Sequence, residues 1–72
     1  MAETERIRIL VNGEPNEVPA GLTVLDLLRR LGVDAERVAL ELDREILKRD
    51  HWGDTRLQDG SAVEIVQFVG GG

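Results

Sequence analysis

"TVLDLLRRLG", Thr23 to Gly32, is the stretch of this chain on which the fold turns. Val24, Leu27, Leu28 and Leu31 fall on one stripe at the i, i+3, i+4, i+7 spacing of an amphipathic helix. Thr23 can accept from the amide of Asp26 while Asp26 reaches back, which is a capping box. Arg29 and Arg30 sit near the C-terminal end, where the helix dipole favours cations. Gly32 suits the left-handed residue that closes a helix. A helix this short is marginal alone, so its single apolar stripe must lie on something else.

The flanks supply that surface. Upstream, "RIRILVN" (Arg6 to Asn12) puts Ile7, Ile9 and Val11 on one side and Arg6 and Arg8 on the other, the period of a half-buried strand. Asn12-Gly13 is a hairpin signal, so a second strand is expected over Asn16 to Pro19. Pro19, Ala20 and Gly21 break the pattern before the helix. Downstream, "VALELD" alternates again, with Val38, Leu40 and Leu42 inward and Ala39 and Glu41 outward. "REILKR" offers a short fourth strand through Ile46 and Leu47. "RDHWGDTRL" reads as irregular or a single turn anchored by Trp52 and Leu57. Asp59-Gly60 is a turn, and "AVEIVQFV" is the last strand.

The order β-β-α-β-β-β, with one apolar helical stripe, predicts a two-layer α+β domain. The last strand should lie beside the first, because both alternate most strongly. That arrangement is the β-grasp, or ubiquitin-like, fold: a mixed sheet of four to five strands with one main helix on one face. Residues 1–69 form the expected domain and 70–72 a flexible C-terminal glycine tail.

Composition narrows the function. A chain of 72 residues makes one small domain. It has no cysteine, which removes disulfides, a thiol nucleophile and thiolate metal sites. Net charge is −5, from 14 acids against 9 bases, and all the bases but Lys48 are scattered arginines. Nucleic acid needs a basic face, so it is not an expected partner. No apolar run is long enough to cross a bilayer, and "MAETERIR" is polar rather than leader-like, so a cytoplasmic protein is expected. His51 lacks a second ligand at metal-binding spacing. Asp50, Asp54 and Thr55 around it make no convincing catalytic group, so neither an enzyme nor a metal site is expected.

"QFVGGG", Gln67 to Gly72, carries the chemistry. Gly70 to Gly72 span at most roughly 10 Å, and roughly 17 Å with Phe68 and Val69. Without Cβ atoms such a tail can thread a channel too narrow for side chains. It would bring the Gly72 carboxylate to another protein's site, where activation as an acyl-adenylate or thioester makes it electrophilic. In the last strand Val63 and Ile65 point to the helix, which puts Val66 and Phe68 near or on the open face as candidate docking residues. Arg49 is a further candidate partner contact, and Trp52 is expected as a core anchor.

Over Ile7 to Gly72 the chain resembles the ThiS family, the bacterial sulfur carriers of thiamine biosynthesis. The matching blocks are "VNGEP", "LTVLDLL", "VALELDREILKRDHW" and "LQDGSAVEIVQFVGGG", with Gly71 and Gly72 as the family's C-terminal diglycine. The resemblance implies a protein co-substrate with no bound cofactor. An E1-like, ThiF-type adenylyltransferase would use ATP to adenylate Gly72. A sulfur donor such as a cysteine desulfurase relay would convert it to a thiocarboxylate for a ThiG-type thiazole synthase. Gly71 would thread the channel and Gly70 add reach. Lys48, where relatives tend to have proline, and Glu41, in place of a small residue, depart from the pattern and bear on partner choice. Two other readings stay open: the small subunit of molybdopterin synthase, and a non-carrier ubiquitin-like module, either a regulatory domain or a modifier of lysines.

Overall fold

Asn12 and Gly13 both take left-handed backbone, at φ of 51° and 85°. They therefore form a two-residue turn whose twist matches the strands it joins. The computed structural model describes residues 5–68. Within them β1 (Arg6–Val11) runs into β2 (Glu14–Pro19), the helix α1 (Val24–Leu31), β3 (Val38–Leu42), β4 (Glu45–Ile46) and β5 (Ala62–Gln67). Two short 3₁₀ turns, Ala35–Arg37 and Arg49–His51, fill the connections.

The described strands make one five-stranded sheet in the order β2-β1-β5-β3-β4. β1 and β5 are parallel and the other pairs antiparallel. The last strand lies beside the first, as expected, and α1 covers one face. This is the β-grasp arrangement.

Two boundaries differ from the sequence reading. β2 begins at Glu14 rather than Asn16, because a two-residue turn lets pairing resume at once with Val11 opposite Glu14. β4 is only Glu45–Ile46; beyond it Leu47 still donates its amide to Leu40 at 3.0 Å. The proposed end of the last strand at Val69 lies outside the described residues.

The helix stripe meets the inward faces of the strands. Ile9, Val18, Val38, Leu40 and Val63 from the sheet pack with Val24, Leu27 and Leu28 from α1, all buried. Each such side chain contributes about 1.5–3 kcal/mol when fully buried. Trp52 and Leu57 close the core from the long loop, and the Trp52 indole donates to the Leu47 carbonyl at 2.8 Å.

Both helix ends are satisfied. Thr23 and Asp26 form the reciprocal capping box. The next free amides, of Val24 and Leu25, donate to the carbonyls of Thr55 and Trp52. Gly32 turns left-handed at φ 73° and Val33 donates back to Leu28, which ends the helix. Among the described residues no helix is long and apolar enough to cross a membrane.

Candidate functional site

β5 is the centre of the sheet and the last described element before Val69 and the three glycines. Its position follows from its sequence: Val63 and Ile65 face α1, while Glu64 and Val66 face away. Turn residues hold its start on both sides. The Asn12 amide donates to the Val63 carbonyl at 2.8 Å, and Asn12 Oδ1 accepts from the Ile65 amide at 2.7 Å. Across the strand the Asp43 amide donates to the Ala62 carbonyl, and Asp43 Oδ1 accepts from the Ala62 amide at 2.9 Å. At the far end the Phe68 amide donates to the Arg37 carbonyl at 2.8 Å. The chain is thus anchored through Phe68, and Gly70, Gly71 and Gly72 lie outside the described residues.

The face of the sheet away from the helix carries exposed apolar side chains. Val66 on β5 is 58% exposed, and Phe68, just past the end of that strand, is 57% exposed. Ala39 lies opposite Val66 on β3. Further along, Glu64 stands directly opposite Glu41, and Ile46, 78% exposed, stands opposite Glu41 on β4. Leu10 adds an apolar side chain on β1 beside Ala62. Leu10 and Ile46 did not emerge from the sequence reading. A signal existed for Leu10: it follows Arg6 and Arg8 in the outward parity of β1, where a third polar residue belongs.

Arg49 is elsewhere. Its guanidinium lies 5.7 Å from the centre of the Trp52 ring, a cation–π stack over a residue of the helix-side core. The structure therefore brings Val66 and Phe68 together but not Arg49 with them. His51 is exposed, and its carbonyl accepts the Thr55 hydroxyl at 2.7 Å. Among the described residues no three His, Cys, Asp or Glu side chains converge as metal ligands.

Among the described residues, the Asp26 carboxyl is held below the usual carboxylate range. The Thr23 amide is the main cause, followed by the Thr23 hydroxyl, with the Arg29 guanidinium adding to them and desolvation opposing. It is a helix cap, so its charge is structural.

Comparison with known proteins gives this geometry a context. The model of the ThiS family matches residues 4–72. The chain is 32% identical to the sulfur carrier protein ThiS of Escherichia coli, covering 92% of this chain and all of that one. It is 39% identical to a thiazole synthase of Paramagnetospirillum magneticum, covering 92% of this chain but only 20% of that protein. The chain thus spans a fifth of the length of that longer relative. Among solved structures, the thiamine biosynthesis protein (ThiS) of Geobacter metallireducens superposes with a TM-score of 0.80 at 42% identity, covering 92% of this chain and 100% of that one.

Proposed function

The chain belongs to the ThiS family of sulfur carriers, and from that premise we propose that it carries sulfur as a thiocarboxylate on Gly72 for thiazole formation in thiamine biosynthesis. The main support is the extent of the family match. It runs through residue 72, so Gly70, Gly71 and Gly72 all fall inside it.

The chemistry needs an outside catalyst. A carboxylate oxygen of Gly72 attacks the α-phosphate of ATP in a ThiF-type adenylyltransferase, and pyrophosphate leaves. The outer sulfur of a donor persulfide then attacks the acyl carbon and AMP leaves, giving an acyl disulfide. A thiol attacks the donor's sulfur of that bond, forming a disulfide with it and freeing the thiocarboxylate, so that one oxygen has been replaced by sulfur. The thiocarboxylate is passed to a thiazole synthase. A relative named thiazole synthase holds a stretch similar to this chain within a longer polypeptide, which favours that enzyme as the consumer.

The protein's own part is presentation. The glycines supply a narrow, unhindered end, and Val66 and Phe68 supply apolar area for docking beside its base. The Gly72 carboxylate is a co-substrate, and the catalytic groups belong to the activating enzyme.

Affinity capture tests the choice of pathway. The tagged chain should recover a ThiF-type enzyme and thiazole synthase from a thiamine-producing cell. Recovery of a molybdopterin synthase large subunit in their place would assign the carrier to the other pathway.

A further inference from the structure

β5 is longer than the strand beside it. β1 accompanies it only as far as Val63, through the pairs Leu10–Ala62 and Val11–Val63, whereas β3 accompanies it to Gln67. The bond from the Phe68 amide to the Arg37 carbonyl makes Val38–Gln67 a non-hydrogen-bonded pair, so the backbone groups of Gln67 point away from β3. Alternation gives Ile65 and Val63 the same direction, and Asn12 uses it by bonding the Val63 carbonyl and the Ile65 amide. Past Asn12, the Ile65 carbonyl and both backbone groups of Gln67 face a side where, among the described residues, no strand lies.

The outer edges of the sheet are blunted. β2 carries Pro15 and Pro19, and β4 is two residues long. Residues 65–67 carry neither proline nor charge. Beside them opens a cleft of about 310 Å³ lined by Val11, Asn12, Leu31, Val33, Ile65 and Gln67. Leu31, at the end of the apolar helix stripe, is left 41% exposed there. Strand backbone with no neighbouring strand among the described residues, next to a hollow whose apolar wall is Val11, Leu31, Val33 and Ile65, is the pattern that binds an added strand.

We propose that residues 65–67 are a strand-addition site for an extended segment of the activating enzyme, with an apolar side chain of that segment seated in the cleft. The occupant follows from the position of the edge. Gln67 comes just before the segment that the enzyme must enclose, so an extended stretch of the enzyme that lies along that segment can continue beside this strand. In an extended chain residues 69 and 71 face the same side as 65 and 67. A strand laid on β5 is therefore led onto the tail and sets the register in which Gly72 arrives. This inference rests on the carrier reading.

Gln67→Pro removes the amide on the free side and leaves the β3 ladder intact, while Gln67→Val keeps the amide and removes only the side chain. With purified ThiF-type enzyme, the proline variant should bind roughly tenfold more weakly, as for one lost interfacial hydrogen bond, and the valine variant, which alters the cleft wall but keeps the amide, should lose clearly less than the proline variant. Both should unfold cooperatively at nearly the natural temperature. In the natural chain the Gln67 amide should exchange fast when free and slow in the complex, which decides the matter even if the proline variant fails to fold. Unchanged exchange in the complex, or natural affinity of a folded proline variant, overturns the proposal. Protection that rises with protein concentration in the free chain also overturns it, by making a second copy the occupant. Sulfur uptake at Gly72 with an unprotected Gln67 sinks this inference and spares the carrier reading, whereas no uptake sinks both.

Discussion

Asn12 Oδ1 accepts the Ile65 amide at 2.7 Å, joining a hairpin turn to the last strand across 53 residues of sequence. One residue thereby closes the turn at φ 51° and fixes β5 where β1 ends. Asn12→Ala should cost about 2 kcal/mol, from the lost bond and from a left-handed alanine. Asn12→Gly keeps the turn and loses only the latch, so it should cost about 1 kcal/mol. Urea denaturation of the three proteins should give that order. Equal stability of all three would show that the latch carries nothing.

Arg44 is strained. Asp43 and Arg44 form the turn between β3 and β4 at φ of 52° and 73°, the second without glycine or a side-chain latch of its own. Arg44→Gly should therefore raise stability by about 1 kcal/mol, seen as a higher melting temperature. A lower melting temperature would mean that the arginine side chain contributes more than its backbone loses.

What the sequence revealed was mostly local. The helix with its caps depends on neighbours within four residues, and the inward faces of β1, β3 and β5 on a period of two. Those were legible. Glu14 and Pro15 fell outside the strand expected over Asn16 to Pro19, yet β2 is an outer strand, where the missing proline amide is tolerated. The turn at Ala35–Arg37 had a signal in Asp34, whose carboxylate caps the Glu36 amide at 3.0 Å. The Asn12 latch and the overhang of β5 beyond β1 depend on which strands become neighbours. No window of sequence contains that information.

Phe68 is exposed at the base of the tail, beside Val66, so its loss should not disturb the core. Phe68→Ala should weaken binding to the activating enzyme about tenfold or more while unfolding stays cooperative. Titration calorimetry measures this directly, and unchanged affinity would remove Phe68 from the docking surface.

Asp26 gives a pH signature. Its carboxyl is held below the ordinary range in the folded state, chiefly by the Thr23 amide. Folding therefore favours the ionised form. The contribution is present in full above the ordinary aspartate range and is lost as pH falls through the lowered folded value. Asp26→Asn should melt below the natural protein at neutral pH, and the gap should close in strong acid. A gap independent of pH would assign the effect to packing instead.

The central claim is that Gly72 takes up sulfur. Intact-mass analysis after incubation with a ThiF-type enzyme, ATP and a sulfur source measures it most directly. The natural chain should gain the difference between sulfur and oxygen, located by fragmentation at residue 72, and a chain lacking Gly72 should gain nothing. An unchanged mass for the natural chain, or the same gain without Gly72, would contradict the account.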